Sequence, residues 1–289
     1  MKYSQAAVLP VALMGAWSNA VAQSTASSVS QSTPVSTSTA SPTGALGSPL
    51  PSQAPLPPKQ AWCTSEIFCP GEILQSINIA RPYPDSKTIV DKPTTNTTNA
   101  TIAAYRNYTS NGLTYGEVTQ FLDNYFQGEG LEFKKVSVND FPENPASISA
   151  IPNQYVRQFL LAVHHIWDLL IRETDQTALC TEGKCESSLI PLNHTFVIAG
   201  GRLREQCEFP LVACSCSYSP SPLDYWDSKF ILHGLLESEL YGVANSTLQN
   251  FMDEIERFGF IPNGGRIYYL DRSQPPVFIN VRPPPHFDS

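Results

Sequence analysis

The sequence is poor in charged residues, and it contains no long apolar run beyond its N-terminus. Charged side chains make up 15% of the 289 residues, and 26 acidic residues outnumber 18 basic ones, which gives a net charge of −8. Since the lysines and arginines form no run, the chain does not present the positive surface that binds nucleic acid or anionic membranes. No later apolar stretch approaches the roughly 20 residues that cross a bilayer, so we expect no membrane span.

Patterns that bind a metal are missing as well. The seven cysteines include no C-x-x-C pair, and no histidine stands at ligand spacing from them, so a zinc site is the less favoured alternative. Three of the cysteines lie in one unusual segment. The other four stand at short spacings and predict two local disulfides, as expected in an oxidising compartment: Cys63, Cys69, Cys180 and Cys185. The sequence indicates no cofactor.

The N-terminus has the pattern of a secretory signal peptide. Lys2 precedes an apolar core over Ala6–Trp17, and small residues at Ala20-Val21-Ala22 predict cleavage after Met1–Ala22. Residues 23–59 are rich in Ser, Thr and Pro, a composition that favours a disordered, O-glycosylated linker. We therefore expect a secreted protein, which the linker could also tether to a cell wall. Five N-x-[ST] sequons predict N-glycosylation at Asn96, Asn99, Asn107, Asn193 and Asn245.

Residues 60–280 show helical periodicity with long connections. The clearest helix is predicted over Gln154–Glu173, where apolar residues form a wide face. Others are predicted over Gly71–Ala80, Thr114–Gln127, Asp227–Tyr241 and Asn245–Phe258. Strand-like pieces at Phe196–Ile198 and Arg266–Leu270 do not add up to a sheet, so the pattern predicts an all-α protein. We interpret four further side chains as structural: Trp62, His164, His165 and Trp167.

The most informative stretch is Phe260–Pro276, which reads FIPNGGRIYYLDRSQPP. Its turn-forming start, Pro262–Gly265, permits a sharp bend. Such a bend could present Asn263, Arg272 and Gln274 to one polar ligand. An amide both donates and accepts, and a guanidinium offers a planar fork of donors, which suits the vicinal hydroxyls of a sugar. From these residues alone, a ligand site and a solvated loop stay open alternatives.

This stretch resembles the asparagine- and glycine-rich loop of the α,α-trehalases, the inverting glycoside hydrolases of family 37. Upstream, Ala199–Gln206 and Tyr225–Phe230 are similar to the two halves of the family signature P-G-G-R-F-x-E-x-Y-Y-W-D-S. Ala199 replaces its proline and Leu203 its phenylalanine, and eighteen residues, Cys207–Asp224, interrupt it. The resemblance covers roughly residues 70 to 280. It implies an incomplete (α/α)6 toroid, a trehalose substrate and no metal or organic cofactor.

The resemblance also implies substrate-binding roles. Arg202 would donate to a hydroxyl, Trp226 would form an apolar wall and Asp227 would accept. The remaining members of the subsite would be Asn263, Arg272 and Gln274. Asp227 also stands where a helix N-cap belongs, so we expect it to cap the helix as well as to accept from the sugar. A core position for Trp226 stays open as the alternative. No catalytic residue is assigned, since the general acid and base of the family lie downstream of this loop.

The segment Cys207–Asp224 has two interpretations. Cys207-Glu208-Phe209 can be encoded with a splice donor and Leu223-Asp224 with an acceptor, and joining them restores a tyrosine before Tyr225. We therefore interpret the segment as a translated intron, with a real, disulfide-stapled loop as the alternative. By the same logic residues 281–289 would be a read-through tail.

Together these features predict a secreted trehalase that hydrolyses trehalose to two glucose molecules, of which this chain would be a truncated and inactive form. One alternative is a secreted, non-catalytic module that binds trehalose or a glucan. A less favoured alternative is another (α/α)6 glycosidase, such as a glucoamylase-like enzyme.

Overall fold

The computed structural model describes residues 42–52, 54–110, 112–175, 184–198 and 223–277. Seven α-helices dominate these residues, which confirms the predicted all-α class. They are α1 (Glu72–Ala80), α2 (Thr98–Thr109), α3 (Tyr115–Tyr125), α4 (Ala146–Ser149), α5 (Gln154–Leu170), α6 (Tyr225–Glu237) and α7 (Tyr241–Phe258). The signal peptide, Cys180, Arg202, residues 207–222 of the proposed intron and the C-terminal tail lie outside the described residues.

The ends of the helices follow local sequence signals. The Oγ1 atom of Thr114 accepts from the Glu117 N–H at 3.2 Å, and the Glu117 carboxylate accepts from the Thr114 N–H at 2.8 Å. This pair confirms a capping box at the start of α3. The helix ends at Tyr125, two residues before the predicted end, because Phe126 is extended and forms a bridge with Thr94. Gly259 ends α7 at a φ of 81°, a left-handed conformation that glycine adopts without strain.

A small antiparallel sheet corrects the prediction that the strand-like pieces form none. Its strands are β1 (Phe133–Lys135), β2 (Ile171–Thr174) and β3 (Phe196–Val197), in the order β1-β2-β3. The predicted helix Gln154–Glu173 ends early, at Leu170, because the next residues pair with both neighbouring strands. Strands of two to four residues are too short to show the alternation from which a strand is predicted. The strand-like Arg266–Leu270 contains a 3₁₀ helix, Ile267–Tyr269.

Two clusters of buried apolar side chains form the core. The first cluster joins α1, α2 and α3 with the preceding segment that contains Ile67 and Phe68. The disulfide Cys63–Cys69, which was predicted, brackets that segment. The second cluster joins the sheet with α6 and α7. Cys185 is also disulfide-bonded, and its predicted partner, Cys180, lies outside the described residues.

The last part of the segment predicted as a linker makes backbone contacts with the first cluster's helices. The Tyr115 N–H donates to the Ser48 carbonyl at 3.1 Å and the Gly116 N–H to the Leu46 carbonyl at 2.8 Å. Close approach is possible because Gly116 has no Cβ, which would lie 2.9 Å from the Leu46 oxygen. This stretch is therefore packed against α3.

Helix α5 leaves much of its apolar face exposed. Tyr155 is 76% exposed and Phe159 66%, and Val156 and Val163 are exposed as well. We call these four residues the α5 stripe. Towards the C-terminal end of the helix, His164 is buried beside the Pro142 carbonyl and Trp167 packs against the second cluster, in agreement with their predicted structural roles. No helix among the described residues is long and apolar enough to cross a membrane.

Candidate functional site

The loop that carries Asn263, Arg272 and Gln274 closes on itself. The Asn263 N–H donates to the Arg272 carbonyl at 3.0 Å, and the Gln274 Nε2 atom donates to the Asn263 Oδ1 atom at 2.8 Å. The Asn263 Nδ2 group, a donor, and the Gln274 Oε1 atom, an acceptor, take no part in this bond. The fold thus brings the three predicted residues together, with one donor and one acceptor that a hydroxyl group could use.

The same loop is tied to the beginning of α6. The Tyr225 N–H donates to the Asn263 carbonyl at 3.1 Å, and Trp226 and Asp227 follow in the first turn of that helix. Five of the six residues predicted to bind substrate therefore lie on two backbone segments joined by this bond. The sixth, Arg202, lies outside the described residues.

The structure corrects the expected N-cap role of Asp227 and the alternative of a core position for Trp226. Asp224, and not Asp227, occupies the N-cap position, and Asp227 lies exposed in the first turn. Trp226 is not a core residue, because it is 40% exposed and its ring meets the edge of Phe230 with 6.0 Å between the centroids. An exposed aromatic face can contact the apolar side of a neutral sugar, and an exposed carboxylate can accept a hydrogen bond from it.

Arg272 stands at the exposed edge of the loop. Its guanidinium donates to the Asp271 carboxylate at 3.0 Å and lies 5.0 Å from the centre of the Tyr269 ring. The Tyr269 hydroxyl in turn accepts from the Lys87 Nζ atom at 3.2 Å. An exposed ion pair of this kind contributes little to stability, so the guanidinium can exchange it for a ligand at small cost.

Sequence reasoning missed the role of Arg266, which was assigned to a strand-like piece. It is 0% exposed and binds both oxygens of the buried Glu132 carboxylate, at 3.0 and 3.3 Å. Burial by itself lowers the pKa of Arg266, but the charges of Glu132 and Asp91 raise it by more, so its pKa lies above the ordinary value. The partners stand more than a hundred residues away in the chain, so no local pattern pointed to them.

No group of three or more histidine, cysteine, aspartate or glutamate side chains within the described ranges is arranged to hold a metal ion. The site consists of amide, guanidinium, carboxylate and indole groups. Such a set suits recognition of a polar, uncharged ligand by hydrogen bonds and apolar contact.

The described part of the chain is a mostly helical protein with a polar loop beside the start of α6. A family model described as Trehalase matches residues 81–281, so the chain belongs to the trehalase family, whose helical toroid the described helices form in part. It is similar to the trehalases of Dictyostelium discoideum (37% identical over 76% of this chain and 34% of that protein), Tenebrio molitor (33%, over 75% and 36%) and Homo sapiens (31%, over 80% and 36%). The chain spans about a third of the length of these curated relatives.

Proposed function

We propose that the loop Asn263–Gln274 and the first turn of α6 form part of the substrate site of an enzyme that hydrolyses α,α-trehalose to two glucose molecules with inversion. The observation that carries this proposal is the bond from the Tyr225 N–H to the Asn263 carbonyl, 3.1 Å. It unites the two segments on which the expected sugar-binding side chains stand. Relatives described as trehalases support the substrate assignment.

In this proposal each side chain has a defined part. The amides of Asn263 and Gln274 and the guanidinium of Arg272 bind glucose hydroxyls, Trp226 covers an apolar face of the ring, and Asp227 accepts a hydrogen bond. Arg202 would add a further donor. An inverting glycosidase also needs two carboxyl groups about 6.5–9.5 Å apart, one to protonate the leaving oxygen and one to activate water. Because the resemblance places both downstream of this loop, we propose that the chain by itself binds substrate but is inactive.

Calorimetry and a glucose-release assay on the purified chain test this proposal. We expect trehalose binding without turnover, and a loss of affinity of at least about tenfold in Arg272→Ala, on the order of 1.4 kcal/mol, since a charge-assisted bond to the ligand is removed. Arg106→Ala is the matched control, because Arg106 is an exposed arginine on α2, away from the loop in the chain.

Each outcome tests a different part of the proposal. Glucose release by the purified chain would contradict the inactivity, and equal affinity of Arg272→Ala and wild type would contradict the site. Trehalose binding without turnover is also expected of the non-catalytic module that binds trehalose or a glucan, and binding of a glucan in preference to trehalose would favour that module.

We further propose that the protein is secreted and glycosylated and that Cys207–Asp224 is a translated intron. All five sequon asparagines lie exposed, which supports the accessibility that glycosylation needs. Sequencing the spliced transcript across codons 200–290 tests the intron. We expect codons 207–224 to be absent from it, and their presence would favour a real loop instead.

A further inference from the structure

The candidate sugar-binding loop contains a fully buried arginine, Arg266. We propose that Arg266 is the positioning residue of this site: its buried bonds to Glu132 and Ser188 hold the loop in the shape that presents Asn263, Arg272 and Gln274. This inference deepens the proposed function and rests on it for the identity of the ligand.

The Arg266 guanidinium is bound in a specific geometry. It donates through Nη1 to Glu132 Oε1 at 3.0 Å, through Nη2 to Glu132 Oε2 at 3.3 Å and through Nη1 to Ser188 Oγ at 3.1 Å. A two-pronged bond of this kind requires the planar fork of an arginine, which the single ammonium group of a lysine does not reproduce. The arrangement therefore fixes the orientation of Arg266 as well as its position.

The partners of Arg266 are themselves held in place. Ser187 donates to the Glu132 carboxylate, and the Ser188 hydroxyl donates to the Val90 carbonyl. The Arg266 Nε atom lies 3.5 Å from the Asp91 carboxylate, which is also buried. Since Val90 belongs to the first core cluster, the guanidinium is bound to a rigid part of the protein.

Backbone bonds transmit this anchor to the loop. The Ile190 N–H donates to the Gly265 carbonyl at 3.0 Å, and the Ile267 N–H donates to the Ser188 carbonyl at 2.8 Å. The residues on either side of Arg266 are therefore bound to the segment that carries Ser188. Ile267 and Tyr268 pack against the first core cluster. Ile261 and Val277, which flank the loop on either side, belong to the second core cluster.

The loop thus crosses from one core cluster to the other with Arg266 buried at the junction. An arginine that loses its carboxylates in such a place is too costly to stay buried, so the loop must leave this position when the bond is broken. A ligand then binds only the fraction of molecules in which the loop returns, and its apparent affinity falls by that fraction. The effect is indirect, because Arg266 is 0% exposed.

Three variants of the full chain test the positioning role of Arg266: Arg266→Lys, Glu132→Gln and Ser188→Ala. They are given in order of decreasing expected disruption of the Arg266 bonds. The matched control is Phe121→Leu, which opens space in the first core cluster, where the Phe121 ring contacts aromatic rings of α2 and of the end of α3. Trehalose affinity is measured by calorimetry at a temperature where circular dichroism shows every variant folded. We expect Arg266→Lys and Glu132→Gln to weaken binding by at least about tenfold, and Phe121→Leu by less than about twofold. The positioning role would be overturned if the loss of trehalose affinity in every variant, the control included, were simply proportional to its loss of stability.

A second measurement does not depend on trehalose. Hydrogen exchange reports on the amides of Ile190, Asn263 and Arg272, whose N–H groups are bonded within or onto the loop. We expect their protection to fall in the Arg266 and Glu132 variants and to stay at the wild-type level in Phe121→Leu. Unchanged protection in Arg266→Lys would overturn the inference. If the wild type binds no trehalose but the variants lose protection, the proposed ligand is wrong and the positioning role stands.

Discussion

Glu254 is a carboxylic acid on the buried side of α7. It is 3% exposed, and neither of its carboxylate oxygens has a hydrogen-bond partner among the described residues. One turn earlier, the Asn250 Oδ1 atom accepts from the His194 N–H and the Asn250 Nδ2 atom donates to the His194 carbonyl, at 3.0 Å each. These two bonds attach α7 to the backbone of His194. Burial, assisted by the charge of Asp253, raises the pKa of Glu254 to about 8.

This raised pKa predicts that the protein is more stable in mild acid than at alkaline pH. Above about pH 4.5 the unfolded chain releases the Glu254 proton while the folded chain keeps it until about pH 8. The free energy of unfolding therefore falls across this window, by on the order of 5 kcal/mol, and levels off above it. We expect Glu254→Gln, which cannot ionise, to match wild type near pH 4.5 and to be more stable at pH 8. Urea unfolding at several pH values measures this.

The control is Glu256→Gln, an exposed position on the same helix. Its stability should follow the wild-type pH profile to within about 0.5 kcal/mol. The assignment to Glu254 is wrong if Glu254→Gln keeps the full pH dependence of the wild type.

Among the helices, α5 and α6 meet at a glycine. A Cβ added at Gly234 would lie 2.7 Å from the Cζ2 atom of Trp167, and the indole cannot turn away freely because its Nε1–H donates to the Ser238 Oγ atom at 2.9 Å. The bond and the close contact therefore fix how α6 lies on α5. Since Trp226 and Asp227 lie in the first turn of α6, the same contact supports the candidate site.

We expect Gly234→Ala to destabilise the protein, although alanine favours helix, because the added methyl group overlaps the indole ring. Overpacking of this kind costs about 1–3 kcal/mol. Thermal or urea unfolding measures the loss. In the background Trp167→Phe, which removes the second ring of the indole, the same Gly234→Ala change should cost little, and an equal cost in both backgrounds would mean that the indole is not the obstacle.

At the scale of the whole molecule, the α5 stripe is an exposed apolar surface. Tyr155, Val156, Phe159 and Val163 lie on one helix and remain exposed. An apolar surface of this kind promotes association between molecules. The chain belongs to a family of helical toroids and spans about a third of its relatives.

We therefore expect the purified chain to self-associate and the double variant Val156→Ser/Phe159→Ser to do so much less, because the apolar area that drives contact is reduced. Light scattering over a range of protein concentrations measures this. Leu56→Ser is the control, since Leu56 is also exposed but lies before the helices. Equal scattering from wild type and the double variant would mean that a surface other than the α5 stripe causes the self-association.

Much of the helical fold could be predicted from local patterns. The capping box at Thr114, the glycine after α7 and the periodicity of α5 each depend on residues within one or two turns of each other. Helix α2 was not predicted, because its threonines and asparagines carry little apolar periodicity. Its N-cap is Thr97, whose side chain accepts from the Ala100 N–H. The sheet was not predicted because its strands pair over gaps of about 20 to 40 residues and are too short to show a period of their own.

The sequence by itself determined the helical class, the family resemblance and the types of residue that the candidate site contains, because these depend on composition and on spacing along the chain. Only the tertiary structure decided that Asn263, Arg272 and Gln274 converge beside the start of α6, that Asp227 lies in the first turn and not at the N-cap, and that Arg266 is buried on Glu132. The reason is physical: the partner of Arg266 lies 134 residues away in the chain. A charge is buried only where folding brings such a distant partner to it.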